Sequence, residues 1–415
     1  MSRTQRALAK MSGAGCGAFV CGMVLLFVLL SAAWAEEFPL KVRPLTQEEM
    51  GSVDGVSAAP SEERPTGITA EPKYRGVLPP RYAQVALGGG SLTLVFDCAD
   101  AKAKSYDLLY LDRDGDGDLA EEAPVGVAAR EAVFLTSFQP VTVDVPFAGG
   151  KRPGLVQVRA LVFGEDLMQV TVAPASCLEG TVRLGTQEYR VALVDANLSG
   201  VLGDGEGSLS ADRLLIDLNG NRVYDRRGQY PIPAAQEGRP LSECWQVGQN
   251  WWSATVAGDW STVTVKPAEV TYGELRYRGP QPQSLVLVSR RYGYVLPSFK
   301  EGVARVPVGE HTVDGMQLAA KDAQGRAWEL SASGDETRLV KVATDAPAEI
   351  DLSQPMVGTV EAETGEGDVR FSLALALAGQ EVSSVTVGDG RPPEPTFTIK
   401  DSAGKEVATG KFEYG

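Results

Sequence analysis

The chain has 415 residues, 43% hydrophobic, with 39 Lys+Arg against 54 Asp+Glu and a formal net charge of −15. Such an acidic balance argues against nucleic acid and anionic lipid as partners and favours cations, although charge spread along a chain also serves solubility. A single histidine, His311, excludes a His-rich zinc site and leaves a Ser-His-Asp or Cys-His arrangement only one candidate base.

Residues 1–35 read as a secretory signal. Arg3, Arg6 and Lys10 form a basic start, Ala18 to Leu30 an apolar stretch of 13 residues, and Ala33-Trp34-Ala35 a small-residue cleavage site. The apolar stretch is short for a membrane span. Removing the three basic residues of the leader leaves 36 Lys+Arg against 54 Asp+Glu, a formal charge of −18. The expected location is secreted, or periplasmic and cell-envelope. Cys98, Cys177 and Cys244 then remain, far apart and without a CxxC pair. One disulfide plus a thiol, or none, is compatible with that spacing.

Residues 36–77 are polar and Pro-rich and read as a linker or loosely attached arm. Beyond them, short segments such as "SLTLVF", "YDLLYL", "VTVDVPF", "YRVALV" and "RLLIDL" are rich in Val, Leu and aromatics. Gly, Pro or Asp bounds each of them. This pattern predicts an all-β chain of tandem β-sandwich-like modules with strand-flanked Asp-rich loops and little helix. Only "EEAPVGVAAREAVF" could hold a short helix.

An internal duplication is expected. "YDLLYLDRDGD" (106–116) aligns with "ADRLLIDLNGN" (211–221) at an offset of 105, and "VALGGGSLTLVFDCAD" (85–100) with "VRLGTQEYRVALVDAN" (182–197) at 97 or 98. Two related β modules follow, 78–178 and 179–270. Two further β units are expected at 271–345 and 346–415, the second completing the first. In the former, Pro307, Gly309, His311 and Val313 fit a P-x-G-x-[YH]-x-[VL] turn and strand. They resemble the transthyretin-like or carboxypeptidase-regulatory-like (Ig-like) β-sandwich, which implies a two-sheet fold there.

Three loops carry candidate metal ligands. In 112–122, Asp112, Asp114 and Asp116 occupy positions 1, 3 and 5, Gly117 position 6, and Asp118 offers its carbonyl at position 7. Position 12 is Ala123, so Glu121 or Glu122, both out of register, must supply the remaining carboxylate. In 195–206, Asp195, Asn197 and Ser199 are followed by Gly200 and by Glu206 in register at position 12. In 217–225, Asp217, Asn219, Asn221 and Asp225 take positions 1, 3, 5 and 9, with Arg222 where Gly is expected. These loops resemble the EF-hand and dockerin calcium loop, with strands in place of its helices, which implies Ca²⁺ as the ion. An acidic or Asn-Gly turn without metal is the plain alternative.

The cluster Trp245, Trp251, Trp252 and Trp260 reads mainly as core, with at least one ring exposed by strand alternation. No P-loop, dinucleotide fingerprint or nucleophile elbow is present, and no carboxylate pair stands out. The sequence therefore points to a secreted, non-catalytic, calcium-binding β-modular protein whose sandwiches bind an extracellular protein or glycan. The alternatives are a carboxylate-based glycan hydrolase or carbohydrate binder using the Trp245–Trp260 cluster, and a structural envelope protein without metal.

Overall fold

The computed structural model describes residues 35–413 except 51–52, 54, 101, 103–104, 133, 148–149, 164–165, 205–211, 226–236, 365–368 and 389. The expected leader, 1–35, therefore lies outside the described residues except for Ala35. The described residues form strands throughout, with one four-residue helix at Gln47–Met50. None of their helices is long and apolar enough to cross a membrane.

A nine-stranded sheet makes the first unit. Its path runs from Val56–Ala58 through Asp166–Pro174, Gly150–Phe163, Leu135–Phe138, Val125–Ala132, Leu108–Leu111 and Gly90–Asp97 to Arg81–Leu87. Its ends meet: Ser61 and Tyr82 exchange backbone hydrogen bonds of 2.8 Å in both directions. The sheet thus curls into a nearly closed barrel rather than an open sandwich half. Apolar residues at every second position, as in Val141–Phe147, point inward. Phe96 and Phe138 meet edge to face at 5.7 Å among Leu94, Leu109 and Val158. Val125–Ala132, where the sequence admitted a short helix, is a strand. The segment finds two strand partners, Leu108–Leu111 and Leu135–Phe138.

The second unit packs a five-stranded sheet on a four-stranded one. Trp245, Leu214, Ile216, Val182 and Val263 share their core. The third packs a three-stranded sheet, with Tyr272–Arg278 at its centre, beside a seven-stranded sheet. The chain crosses from one to the other at Gly309, whose φ of 149° suits glycine. His311 follows as a buried strand residue. Ala348–Asp351 and Gln380–Val387 join these same two sheets, while Thr396–Lys400 and Glu406–Lys411 form a separate pair.

Residues 36–58 are not a loose arm. Glu36–Pro39 pairs Thr262–Pro267, Lys41–Pro44 pairs Ser176–Leu184, and Val56–Ala58 pairs Asp166–Pro174. Leu40, Leu45, Met50 and Val53 are buried. The segment looks polar because its strands are three or four residues long and half-exposed, which leaves too few apolar positions to show a period.

The duplication is visible in the register. Arg81↔Phe96 through Leu87↔Gly90 becomes Leu178↔Leu193 through Leu184↔Gln187 when 97 is added to every residue. Leu94↔Leu111 through Asp97↔Leu108 becomes Val191↔Ile216 through Val194↔Arg213 with 97 on one strand and 105 on the other. Both units therefore hold the same three-stranded meander, and the loops in question leave equivalent strand ends.

Candidate metal centre

Each of the three loops begins where a buried strand runs out. Leu108–Leu111 delivers Asp112, Gln187–Val194 delivers Asp195, and Arg213–Ile216 delivers Asp217. All three aspartates are buried. Their carboxylates turn back onto the following backbone. Asp112 accepts from Gly115 and Gly117 N–H at 2.9 and 3.1 Å. Asp195 accepts from Ser199 and Gly200 at 3.0 and 2.9 Å. Asp217 accepts from Gly220 and Arg222 at 2.7 and 2.9 Å. The third position then accepts from the fifth, through Asp114, Asn197 and Asn219. The fifth accepts from the seventh, through Asp116, Ser199 and Asn221. Successive Asx-type turns of this kind wind the chain tightly enough for alternate side-chain oxygens to converge.

Such winding needs left-handed backbone at positions 4 and 6. Gly115 and Gly117 both have φ of 80°. Leu198 and Gly200 stand at 55° and 78°, Gly220 and Arg222 at 75° and 69°. Arg222 therefore keeps the shape of the missing glycine in a conformation that L side chains rarely adopt. Position 8 anchors each loop in apolar surroundings: Leu119 and Tyr224 are buried, and Leu202 packs on the core of the second unit.

A further carboxylate, brought from outside the winding, fixes the second N–H of every loop. Glu122 accepts from Arg113 at 2.9 Å, Asp212 from Ala196 at 3.0 Å, and Glu237 from Leu218 at 2.8 Å. Asp107 does the same for Ala99 at 2.5 Å, in the loop of the first unit that corresponds to 195–206. In that loop Asp100 still accepts from Lys102, but Cys98 and Lys102 stand at positions 1 and 5. It keeps two of the bonds of the other loops while its positions 1 and 5 carry no oxygen ligand. The alignment pairs Asp107 with Asp212 but gives neither a role, and Glu237 lies too far along the chain to be associated with its loop. A buried carboxylate needs partners, and this is the only sequence hint they carry.

The loops differ in what neutralises them. In 217–225 the amide groups of Asn219 and Asn221 both donate to Asp225, at 2.6 and 3.1 Å. In 195–206 Asn197 donates to Asp204 at 2.9 Å, and Arg152, stacked on Trp260, comes within 3.8 Å of Asp195. Burial and Asp195 push the Asp212 carboxyl up to about 7. Glu206 lies outside the described residues.

Loop 112–118 has no amide side chain to play that part. Oxygens of Asp112, Asp114 and Asp116 lie within 4.8 Å of one another, the one such group among the described residues. Two unit charges at roughly 5 Å repel by about 1 kcal/mol in water and about 3 kcal/mol at a protein surface. The triad could hold a metal ion, whose charge would remove that repulsion. Glu121 and Glu122 separate here. Glu122 is engaged by the Arg113 backbone and by the Arg113 guanidinium at 3.1 Å. Glu121 is exposed, and Asp116 and Asp118 raise its carboxyl above the usual range. Asp118 lies at the seventh position, beside Ala70. Thr69 donates to the Gly117 carbonyl at 2.8 Å, and Leu119 to that of Ala70 at 3.0 Å. Lys151 reaches only a backbone oxygen of the loop, that of Asp114, at 2.8 Å.

The tryptophans are mostly core. Trp245 donates to Ser242 and Trp251 to Tyr272, and both rings are buried, as is Trp260 under Arg152. Of these four, Trp252 alone is half-exposed. Cys98, Cys177 and Cys244 are buried free thiols.

Fold and site together define an all-β protein of repeated strand–loop units carrying one dense acidic triad. No protein-family model, no curated protein and no solved structure matches this chain.

Proposed function

We propose that this is a secreted or envelope-located, non-catalytic β-modular protein. In this reading the 112–122 loop binds Ca²⁺ and thereby fixes the segment 67–70 to the barrel. The sandwiches serve to bind an extracellular protein or glycan. The observation that carries the reading is the convergence of Asp112, Asp114 and Asp116 at alternate positions of a preformed turn. Ca²⁺ takes six to eight oxygens in a flexible shell. Side chains of those three residues, the Asp118 carbonyl, Glu121 and water would supply them. The loop exchanges backbone bonds with Thr69 and Ala70, so an ion there would act on stability rather than on a reaction.

The 195–206 and 217–225 loops are weaker sites in this reading. Their amide groups already satisfy Asp204 and Asp225, and a metal would have to displace those bonds. The leader supports an extracytoplasmic location, where modular sites of about 10⁻⁴–10⁻³ M fill.

Calorimetric titration of CaCl₂ into chelator-treated protein, with a parallel melting curve, tests this. At about ten times Kd the ion should add about 1.4 kcal/mol and raise Tm by a few degrees. Replacing both Asp114→Asn and Asp116→Asn should abolish the heat and the Tm rise, whereas Asp225→Asn should leave both. Asp112 is a poor choice for removal, because two backbone N–H groups depend on it. Absence of heat and of any Tm change in the unaltered protein would overturn the reading.

A further inference from the structure

The seven-stranded sheet ends in an uncovered ribbon. Its last strand, Val357–Thr364, is exposed at all eight positions and pairs only with Val369–Leu377 among the described residues. Register places Gly358, Val360 and Ala362 opposite Leu375, Leu373 and Phe371. Directly opposed residues share a face. A Cβ built on Gly358 would lie 3.4 and 3.6 Å from Leu373 and Leu375, on that same side. The other face carries Thr359, Glu361 and Glu363 against Ala374, Ser372 and Arg370. The ribbon is therefore amphipathic, with an apolar face that folding leaves partly bare.

The inner strand of the ribbon, from Val369 to Leu375, lines a cavity of about 940 Å³ together with Met356, Trp328, Phe397 and Phe412. Rings of Phe371, Phe397 and Phe412 follow one another at 5.4 and 5.0 Å and join the ribbon to the C-terminal strand pair Thr396–Lys400 and Glu406–Lys411. Away from these rings the cover ends: Val360 is 53% exposed and Val369 51%. The charged lining is balanced, Glu381 and Glu413 against Arg391 and Lys411, with Lys411 3.6 Å from Glu394.

Size decides between occupants. Eight residues at about 3.3 Å each, two strands wide, give roughly 26 by 10 Å, or about 260 Å². A stable dimer needs about 800 Å² from each partner, so a second copy stacked on this face buries too little. One added strand matches the length, and the edge of Val357–Thr364 offers it a row of backbone donors and acceptors. Balanced charge in the lining asks for an uncharged occupant.

We propose that Val357–Thr364 is a docking edge for an extended, uncharged segment of about eight residues from a partner protein. The segment adds a strand antiparallel or parallel to the edge. Its alternate large apolar side chains pack over Val360, on the face that Val360 shares with Leu373. Strand addition of this kind draws affinity from the main chain and selectivity from alternate side chains, so alternation alone suffices for measurable binding.

The full-length protein should bind a fluorescein-labelled peptide Ser-Val-Thr-Leu-Ser-Val-Thr-Leu-Ser in a polarisation titration. The same peptide with its central residue changed to proline, which cannot complete the ladder, should bind at least tenfold more weakly. Val360→Glu should weaken binding at least tenfold, and Glu361→Lys, on the polar face, should leave it within twofold. Amide exchange across 357–364 should slow when peptide is present. No binding of the alternating peptide, equal binding of the proline peptide, or unchanged exchange across 357–364 would each overturn the proposal. So would light scattering that shows a dimer dissociated by Val360→Glu, which would assign the edge to a second copy.

Discussion

His311 is the one residue whose charge changes near neutral pH by its ordinary value, and the fold buries it completely. Nε2–H donates to the Pro307 carbonyl at 2.8 Å, Tyr292 stacks beside the ring, and Nδ1 has no hydrogen-bond partner among the described residues. Burial lowers its pKa below 6.5, against a smaller opposing effect of the Pro307 bond. The unfolded chain therefore takes up a proton before the native one does. Stability contributed here is intact above pH 6.5 and falls as the pH drops below it, by up to about 1.4 kcal/mol per pH unit until the native ring titrates. Asp212 works the other way: its pKa is raised to about 7, so the native state holds that proton more tightly and gains stability as pH falls through 7. The difference between two proteins isolates the histidine. Between pH 7.5 and 5.0, Tm of the unaltered protein should fall relative to that of His311→Gln. Parallel Tm curves would show that the ring titrates freely in the native state.

At the scale of the element, the strand–loop unit is held together by its distant carboxylate more than by its exposed rim. Glu237 is buried and takes three N–H groups, from Leu218, Asn219 and Asp225. Glu122 takes one and is less deeply placed. Leaving buried donors unpaired is costly, and bonds to a charged acceptor are the stronger kind. Glu237→Ala should therefore lower unfolding free energy by about 3 kcal/mol, and Glu122→Ala by about 1 kcal/mol, read from urea midpoints. A smaller loss for Glu237→Ala than for Glu122→Ala would refute this account of the loops. What sequence made legible at this scale was local. Alternate Asp and Asn with Gly at the sixth position announces the winding, and the apolar run before it announces the strand. The clamps were illegible because Asp212 and Glu237 close loops that begin 17 and 20 residues earlier, across segments without any period. The short helix that the sequence admitted near residue 125 is absent for a related reason. Ala and Gly in "VGVAAREA" carry little preference that survives two neighbouring strand edges.

For the whole molecule, the all-β class and the meander shared by the first two units followed from turn spacing and from two neighbouring offsets, 97 and 105, which survive in a single sequence. The N-terminal arm did not, because its meaning lies in what it touches. Residues 36–58 add a strand to each of three sheets, and Arg43 on the second of these strands binds Glu49 at 2.8 Å and Glu179 at 2.6 Å. Arg190 shares Glu179 at 2.6 Å from the neighbouring strand. A linker would tolerate change. An integral strap would not, since burying each of Leu40, Leu45, Met50 and Val53 contributes about 1.5–3 kcal/mol, comparable in sum to the whole stability of a domain. Leu45→Ala and Met50→Ala should each cost about 2–4 kcal/mol and lower Tm by several degrees. Lys41→Ala, exposed on the same segment, should change Tm by less than about 1 °C. If all three variants melt together with the unaltered protein, the arm is a passenger and the three sheets are complete without it. If the first two fall, the polar stretch 36–58 is the strap that joins the barrel to the second unit. An ion in the 112–122 loop, which grips residues 67–70 of the same chain segment, would then stabilise that strap as well as the loop itself.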